Sequence, residues 1–391
     1  MIGEFFMQMI QANFMMIFLN FMVSNGFEDY EGAGIRKYMF LAMLLFAVPI
    51  GLYLKNKKLL PIIRFGSYLT PLAAAGLLIT AYHHQIYGAY FFAFFLGTSN
   101  AIRKLPILPY LIVNVKKENQ ITAIALNFVT WSAASIVVSI FNKGLQYVHP
   151  IFQEDYYLFL VTCGLSILGI PFFLSKMPDK VEQFEKLTFL QNILDYDWKK
   201  IFKATLPGMM IAMGAGITIP NISVFFLKIH HVSSADFSVI GGITSVLVFF
   251  AGLLVPSIKS RFGIYKAVFI SQGIAILALA TLATTEFYSL MSGAALIAAI
   301  AYVLRQPTMN LAHPITSEFA MNFVGEKNQQ IITALDAAIW GGTWFLSSYV
   351  FEILRAAQVD YAYIFYLTCL LYVFGSFLFY RLTVIQKKSN Q

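Results

Sequence analysis

Ala125-Leu126-Asn127-Phe128-Val129-Thr130-Trp131 carries a pattern, Ala-Leu-x-x-x-x-Trp, that occurs twice in this chain. The second copy, Ala334-Leu335-Asp336-Ala337-Ala338-Ile339-Trp340, begins 209 positions after the first, from 125 to 334. Each copy follows a polar turn, Glu118-Asn119-Gln120 in one case and Lys327-Asn328-Gln329 in the other. Each turn follows a basic helix end with two prolines: Arg103, Lys104, Pro106 and Pro109 first, then Arg305, Pro307 and Pro314. A segment repeated with its surroundings at roughly half the chain length predicts a molecule of two similar halves.

Of the 391 residues, 59% are hydrophobic and 12% charged, and the mean hydropathy is +0.70. A soluble domain carries about 25% charged residues. So few charges cannot cover so large a core, and the chain reads as an integral membrane protein. Its apolar stretches are long rather than alternating ten-residue segments, which predicts helices and not an outer-membrane barrel. The net charge of +8 sits in short loops at membrane edges. That pattern makes the lipid bilayer the partner and speaks against nucleic acid. Cys163 and Cys369 fall within apolar spans, with neither disulfide nor metal-type spacing. No Gly-x-x-x-x-Gly-Lys-Ser/Thr loop is present, so ATP-driven transport is not expected. Neither an enzyme, a cofactor nor a metal is expected. The first apolar stretch lacks a basic leader and an Ala-x-Ala-like exit, and reads as a helix that stays.

Twelve spans can be counted. The least apolar stretch, Met177 to Lys200, separates six from six. We expect a first bundle over 1–176, a cytoplasmic linker over 177–200, and a second bundle with a short basic tail over 201–391. One side of the membrane collects 19 of the 27 Lys and Arg; the other collects Arg36, Lys37, Lys143, Lys228 and Arg355. This bias predicts both termini in the cytoplasm of a bacterial-type inner membrane, which requires an even number of spans.

The duplication has further support. Thr162-Cys163 with Gly169 recurs as Thr368-Cys369 with Gly375. Gly51-Leu52 before Arg64-Phe65-Gly66 recurs as Gly252-Leu253 before Arg261-Phe262-Gly263. Two parallel six-helix halves are a transporter architecture, with substrate held between them near the midplane.

Over essentially its whole length the chain resembles the major facilitator superfamily. That family carries a loop motif, Gly-x-x-x-Asp-Arg-x-Gly-x-Arg/Lys, between helices two and three and again between eight and nine. The second copy here reads Ser260-Arg261-Phe262-Gly263, with Ser260 in place of the acid; in the first, Gly51 is followed by Lys55 where the family has Asp. Arg103 in the fourth helix and Arg305-Gln306-Pro307 in the tenth also resemble family features. The resemblance implies an all-α integral membrane fold: twelve transmembrane helices in two pseudo-symmetric six-helix bundles. It also implies alternating access, and a loop latch that here keeps its basic residues and lacks its carboxylates.

A charge inside a bilayer costs about 2.5–3.5 kcal/mol on insertion scales, so it faces a cavity or a partner. Arg103 and Arg305 are expected to line the central cavity and attract an anionic group or a counter-charge, the alternative being bonds to carbonyls freed by nearby prolines. Gln8 and Gln11 share a helix face and are expected to look into the cavity or to join helices. Asn127 and Trp131 share a face at i, i+4, as do Asp336 and Trp340. Asn221 follows Pro220 in a helix loosened by Gly214 and Gly216, a break that could face substrate. These residues, with the tryptophans as stacking surfaces, form the expected binding set. Asp336, a carboxylate well inside a span, is the candidate for proton coupling, against a fixed ion pair with Arg305 or Lys327. Arg261 and Glu318 are expected at the gate, and Glu4 at the membrane interface.

The sequence thus predicts a monomeric secondary transporter of a small organic solute, proton-coupled, by alternating access. Two rivals stay open: an exporter of lipophilic compounds or lipids, and a non-transporting membrane sensor or partner protein.

Overall fold

The computed structural model describes residues 1–54, 57–181 and 196–389. The centre of the expected linker, 182–195, lies outside the described residues. Helices follow in the order α1 (Ile2–Met16), α2 (Phe18–Ser24), α3 (Asp29–Tyr53), α4 (Leu60–Tyr82), α5 (Ile86–Lys104), α6 (Ile107–Asn114), α7 (Lys117–Val148), α8 (Asp155–Ile167), α9 (Ile170–Leu174), α10 (Trp198–Thr218), α11 (Ile222–His230), α12 (Ser234–Thr284), α13 (Ala294–Val324), α14 (Glu326–Ala356) and α15 (Tyr361–Ser389).

Local chemistry explains the breaks. α1 and α2 are one rod bent by 54° at Ile17. α5 and α6 are parted at Leu105–Pro106. A 3-10 turn, Ile219–Asn221, parts α10 from α11; Pro220 within it has no N–H to continue an α-helical ladder. α12 has 51 residues, about 77 Å at 1.5 Å per residue, against a hydrocarbon layer of about 30 Å. It turns back at Gly263, whose φ of 72° is left-handed territory. Ser233 starts α12 by accepting from the Asp236 N–H, and Asp236 takes the Ser233 hydroxyl in return. Counting bent and broken pairs as single rods, and α12 as two, the described residues form twelve rods.

Six helices pass on length and apolarity alone as membrane spans, and the bent α1–α2 pair makes seven. The remaining rods include α7, α13 and α14, which carry Asn127, Arg305, Asn310, His313 and Asp336. Polar residues lower their hydropathy because these rods line the interior.

The repeated Thr-Cys segment has a structural reason. Asn13 Nδ2 donates to Thr162 Oγ1 at 3.0 Å, and Thr218 Oγ1 donates to Thr368 Oγ1 at 2.8 Å. These are the same bond in the two halves, between the first and sixth rods of each. The glycine six residues on recurs because helices touch there. A Cβ on Gly169 would stand 2.8 Å from the Gly3 carbonyl, and one on Gly375 3.1 Å from the Pro207 carbonyl.

Each half has its own apolar core. Met9, Phe14, Phe18, Leu77, Leu96 and Phe159 centre one; Phe225, Phe226, Phe237, Tyr302, Phe351 and Phe365 centre the other. The halves meet along two seams, α3 against α14 and α7 against α12.

Within the first half the closest approach is at Gly97, where a Cβ would fall 2.1 Å from the Met39 carbonyl oxygen. Gly97→Ala must push α5 off α3. It is expected to cost about 1–3 kcal/mol, read as a lower unfolding temperature in detergent. Gly144→Ala, with nothing within 4 Å of its Cβ, should show no such loss.

Candidate functional site

One end of the molecule is sealed by charge. Lys37 Nζ meets Glu352 Oε2 at 2.5 Å, joining α3 to α14. Lys143 meets Asp236 at 2.6 Å, joining α7 to α12. Lys228 lies 3.3 Å from Glu28 and 3.6 Å from Asp29. Asp29, 1% exposed, also takes Arg355 Nε at 2.7 Å and the hydroxyl of Tyr361. Arg36 is fully buried. It donates from Nη1 to the Pro220 carbonyl at 2.5 Å and from Nη2 to Asn221 Oδ1. Every one of the five basic residues counted to the minority side of the membrane therefore bonds across the two halves. The sequence reading put them in loops; they sit on helix ends, where an acidic or carbonyl partner from the other half meets each.

Small residues let the seams close. A Cβ on Gly242 would stand 2.8 Å from Ser139 Cβ, and one on Gly341 3.3 Å from the Leu44 backbone nitrogen. Asn142 Nδ2 donates to Ser238 Oγ at 3.0 Å, and Asn20 Nδ2 to Ser234 Oγ at 3.1 Å. Ser234 in turn donates to Asp155 at 2.7 Å. The named contacts of the α3–α14 seam run from Gly34 and Glu352 to Leu44 and Gly341. Beyond that, toward the end holding both termini, no hydrogen bond or ion pair joins the halves among the described residues.

Arg103 is fully buried, but its charge is matched. Nη1 donates to Glu4 Oε2, and Nη2 to Asn100 Oδ1 at 3.3 Å. Gln8 Nε2 donates to the other Glu4 oxygen at 2.7 Å, and Asn100 Nδ2 to Gln11 Oε1 at 3.3 Å. Glu4 therefore does not lie at the membrane interface: it is 3% exposed and is the counter-ion of Arg103. Gln11 bonds across helices through Asn100, while Gln8 bonds within α1 to Glu4. A cavity of about 340 Å³ beside it is lined by Glu4, Tyr110, Asn127 and Phe173, and the buried Asn127 Oδ1 has no partner.

Arg305, equally buried, is treated differently. Nη1 donates to Gln306 Oε1 and Nη2 to Tyr372 Oη; its guanidinium lies 5.6 Å from the Tyr372 ring centroid, and Nε has no partner. Among the described residues no carboxylate pairs with it. Gln306 and Tyr372 both line a cavity of about 270 Å³ at the unsealed end, with Gly208, Gln272, His313 and Trp340 among the other walls. The rings of His313 and Trp340 are 5.6 Å apart, and those of Trp340 and Trp344 5.8 Å.

The expected site residues thus separate. Arg305, through its two partners, and Trp340 belong to one cavity; Asn127 belongs to the other. Asn221 does not offer its amide to a ligand: Oδ1 is held by Arg36, and Nδ2 donates to the Ile217 carbonyl at 2.7 Å. The turn at Pro220 frees that carbonyl, and the amide stays there. Trp131 is half-buried on α7. Asp336 is in α14, four residues before Trp340, and its side chain lies outside the described ones. Glu318 is bidentate to Lys259 at 2.6 Å, a bond between α12 and α13 within one half rather than across the gate. Arg261 is exposed beside Gly263 and packs on Phe262. Sequence reasoning missed Arg36 and Asp29; the signal was present, as an acidic turn and five cations assigned to one membrane face.

Removing one member of a buried ion pair strands the other, at about 3–5 kcal/mol. Glu4→Gln is expected to cost stability by that amount, read as a lower unfolding temperature in detergent, and Glu4→Gln with Arg103→Gln to recover most of it.

No family model matches the chain, and no curated protein matches its sequence. Solved structures do. A D-xylose–proton symporter superposes with a TM-score of 0.77 at 10% identity, over 97% of this chain and 95% of that one. A bacterial homologue of the iron transporter ferroportin, in its inward-facing state, gives 0.74 at 11% identity over 97% and 96%. The outward-facing state of a bacterial ferroportin homologue gives 0.65 at 10% identity over 98% of both chains. The chain has the fold of these solved transporters, all-α among the described residues, with six helices, or seven counting the bent pair, long and apolar enough to cross a membrane.

Proposed function

We propose that the protein is a secondary transporter working by alternating access and standing open toward the cytoplasm. The observation that carries this reading is the asymmetry of the two ends. Five cations bind the halves together at one end, and a cavity opens at the other. The greater likeness to the inward-facing than to the outward-facing ferroportin homologue, 0.74 against 0.65, supports it. So does the Lys/Arg count, which assigns the open end and both termini to the cytoplasm. On this reading residues 1–176 and 201–391 are the rocking bundles and 177–200 joins them. The protein acts as a monomer in an inner membrane and carries a small organic solute.

Outward opening requires the α3–α14 and α7–α12 seams to part. The seal suits that task. Partly exposed pairs such as Lys143–Asp236, whose side chains are 31% and 53% exposed, contribute about 0–1 kcal/mol each. They break in turn as the bundles rock. At the open end Arg261 and the Lys259–Glu318 pair flank the entrance and would meet the first half on closure. Proton coupling falls to Asp336, one turn from Trp340 in the cavity wall. The D-xylose transporter of the same fold is by description a proton symporter.

Thiol labelling tests the open end. Thr316 lines the cavity; Thr316→Cys, in a background lacking Cys163 and Cys369, should react with an impermeant maleimide in inside-out vesicles and be protected in right-side-out cells. Adding Lys37→Ala with Glu352→Ala should expose it from outside. Protection that is the same from both sides would sink the reading. For coupling, uptake into proteoliposomes by an Asp336→Asn variant should no longer follow an imposed pH gradient; a response equal to wild type removes Asp336 from the mechanism.

A further inference from the structure

The two halves answer the same electrostatic problem differently. In the first, Arg103 on α5 is neutralised by Glu4 at the start of α1. In the second, Arg305 lies on α13, and α10, the rod that corresponds to α1, carries no Asp or Glu. Gly208 lines the 270 Å³ cavity, with nothing within 4 Å of the place its Cβ would take. Open space is left at Gly208, and no acid on α10 faces Arg305.

The hydrogen-bond inventory of the cavity points the same way. Arginine only donates, so Gln306 must turn its oxygen and Tyr372 its lone pair toward Arg305. That leaves the Gln306 NH2 and the Tyr372 hydroxyl hydrogen without an acceptor among the described residues. Gln272 has its oxygen engaged by the Ser376 hydroxyl at 2.6 Å, so its NH2 is likewise a donor to spare. No Asp or Glu is among the described residues lining the cavity. A fully buried cation, three donors short of acceptors and an apolar wall of Met309, Ile339, Trp340 and Phe379 describe the complement of an anion with an apolar body.

We infer that this cavity binds a small organic monocarboxylate, whose carboxylate takes the free donors of Gln306, Tyr372 and Gln272 in front of the Arg305 charge. One charge on Arg305 matches one on the ligand; a phosphate monoester dianion would bring a second that nothing described in the wall neutralises. The inference rests on the transport reading, since it takes this cavity for the substrate's.

Thermal unfolding of the purified full chain in detergent tests it, because a ligand that binds only the folded state raises the unfolding temperature. The probes are monocarboxylates from acetate to phenylacetate, each beside its amide and beside a phosphate monoester of matching size. Carboxylates should stabilise in a concentration-dependent way and amides should not. Arg305→Gln should weaken the effect about tenfold or more, and Tyr372→Phe by less. Gly208→Glu keeps Arg305 and supplies an internal counter-ion; it should raise the unfolding temperature without ligand and abolish the response. The inference is overturned if no carboxylate exceeds its amide, if the phosphate monoesters exceed the carboxylates, or if Gly208→Glu responds like wild type. Any of these with Thr316→Cys still labelled from one side only would remove the substrate class and leave the transporter standing.

Discussion

A guanidinium taken out of water must find its charge or its hydrogen bonds again inside the protein. This chain buries three, and each is settled in its own way. Arg103 has a carboxylate, Glu4, in the neighbouring helix. Arg36 has the carbonyl of Pro220 and the amide of Asn221, both from the opposite half. Arg305 has, among the described residues, a neutral amide and a phenol. The first fixes a bundle, the second ties the bundles together, and the third has no carboxylate partner among the described residues. The three differ in how completely each charge is matched among the described residues.

The seal at the closed end obeys a related logic. Asp29 is buried and collects Lys228, Arg355 and the Tyr361 hydroxyl. Pairs around it, such as Lys143 with Asp236, are half open to solvent. A strong centre with a weak rim gives a contact that is specific in register and still reversible. Glycines 34, 242 and 341 bring the backbones close enough for these short bonds to form. Their small size serves the charge pairing as much as the packing.

Much of this architecture was legible in the sequence. The Thr-Cys repeat marked a real duplicated bond, Asn13–Thr162 and Thr218–Thr368, because the hydroxyl must be kept for that bond to exist in each half. The twelve spans could be counted although α7, α13 and α14 are too polar to stand out, because their flanking charged turns bounded them. The partners were not legible. Glu4 and Arg103 are 99 positions apart, and Arg36 and Asn221 are 185 apart; a pairing between helices leaves no periodic trace in either. Asn221 looked like a loose break facing substrate because sequence shows the break at Pro220 and not the arginine that fills it.

The turn at Gly263 carries a consequence for how the chain enters a membrane. The two rods of α12 are joined with hardly a loop: one left-handed residue reverses the direction, and Lys259, Arg261 and Lys266 crowd around it. No separate loop lies between the two rods, so they stay side by side through the bend. A basic bend with no loop of its own favours insertion of the two rods as one hairpin, an arrangement that the first half, with six residues between α3 and α4, does not share.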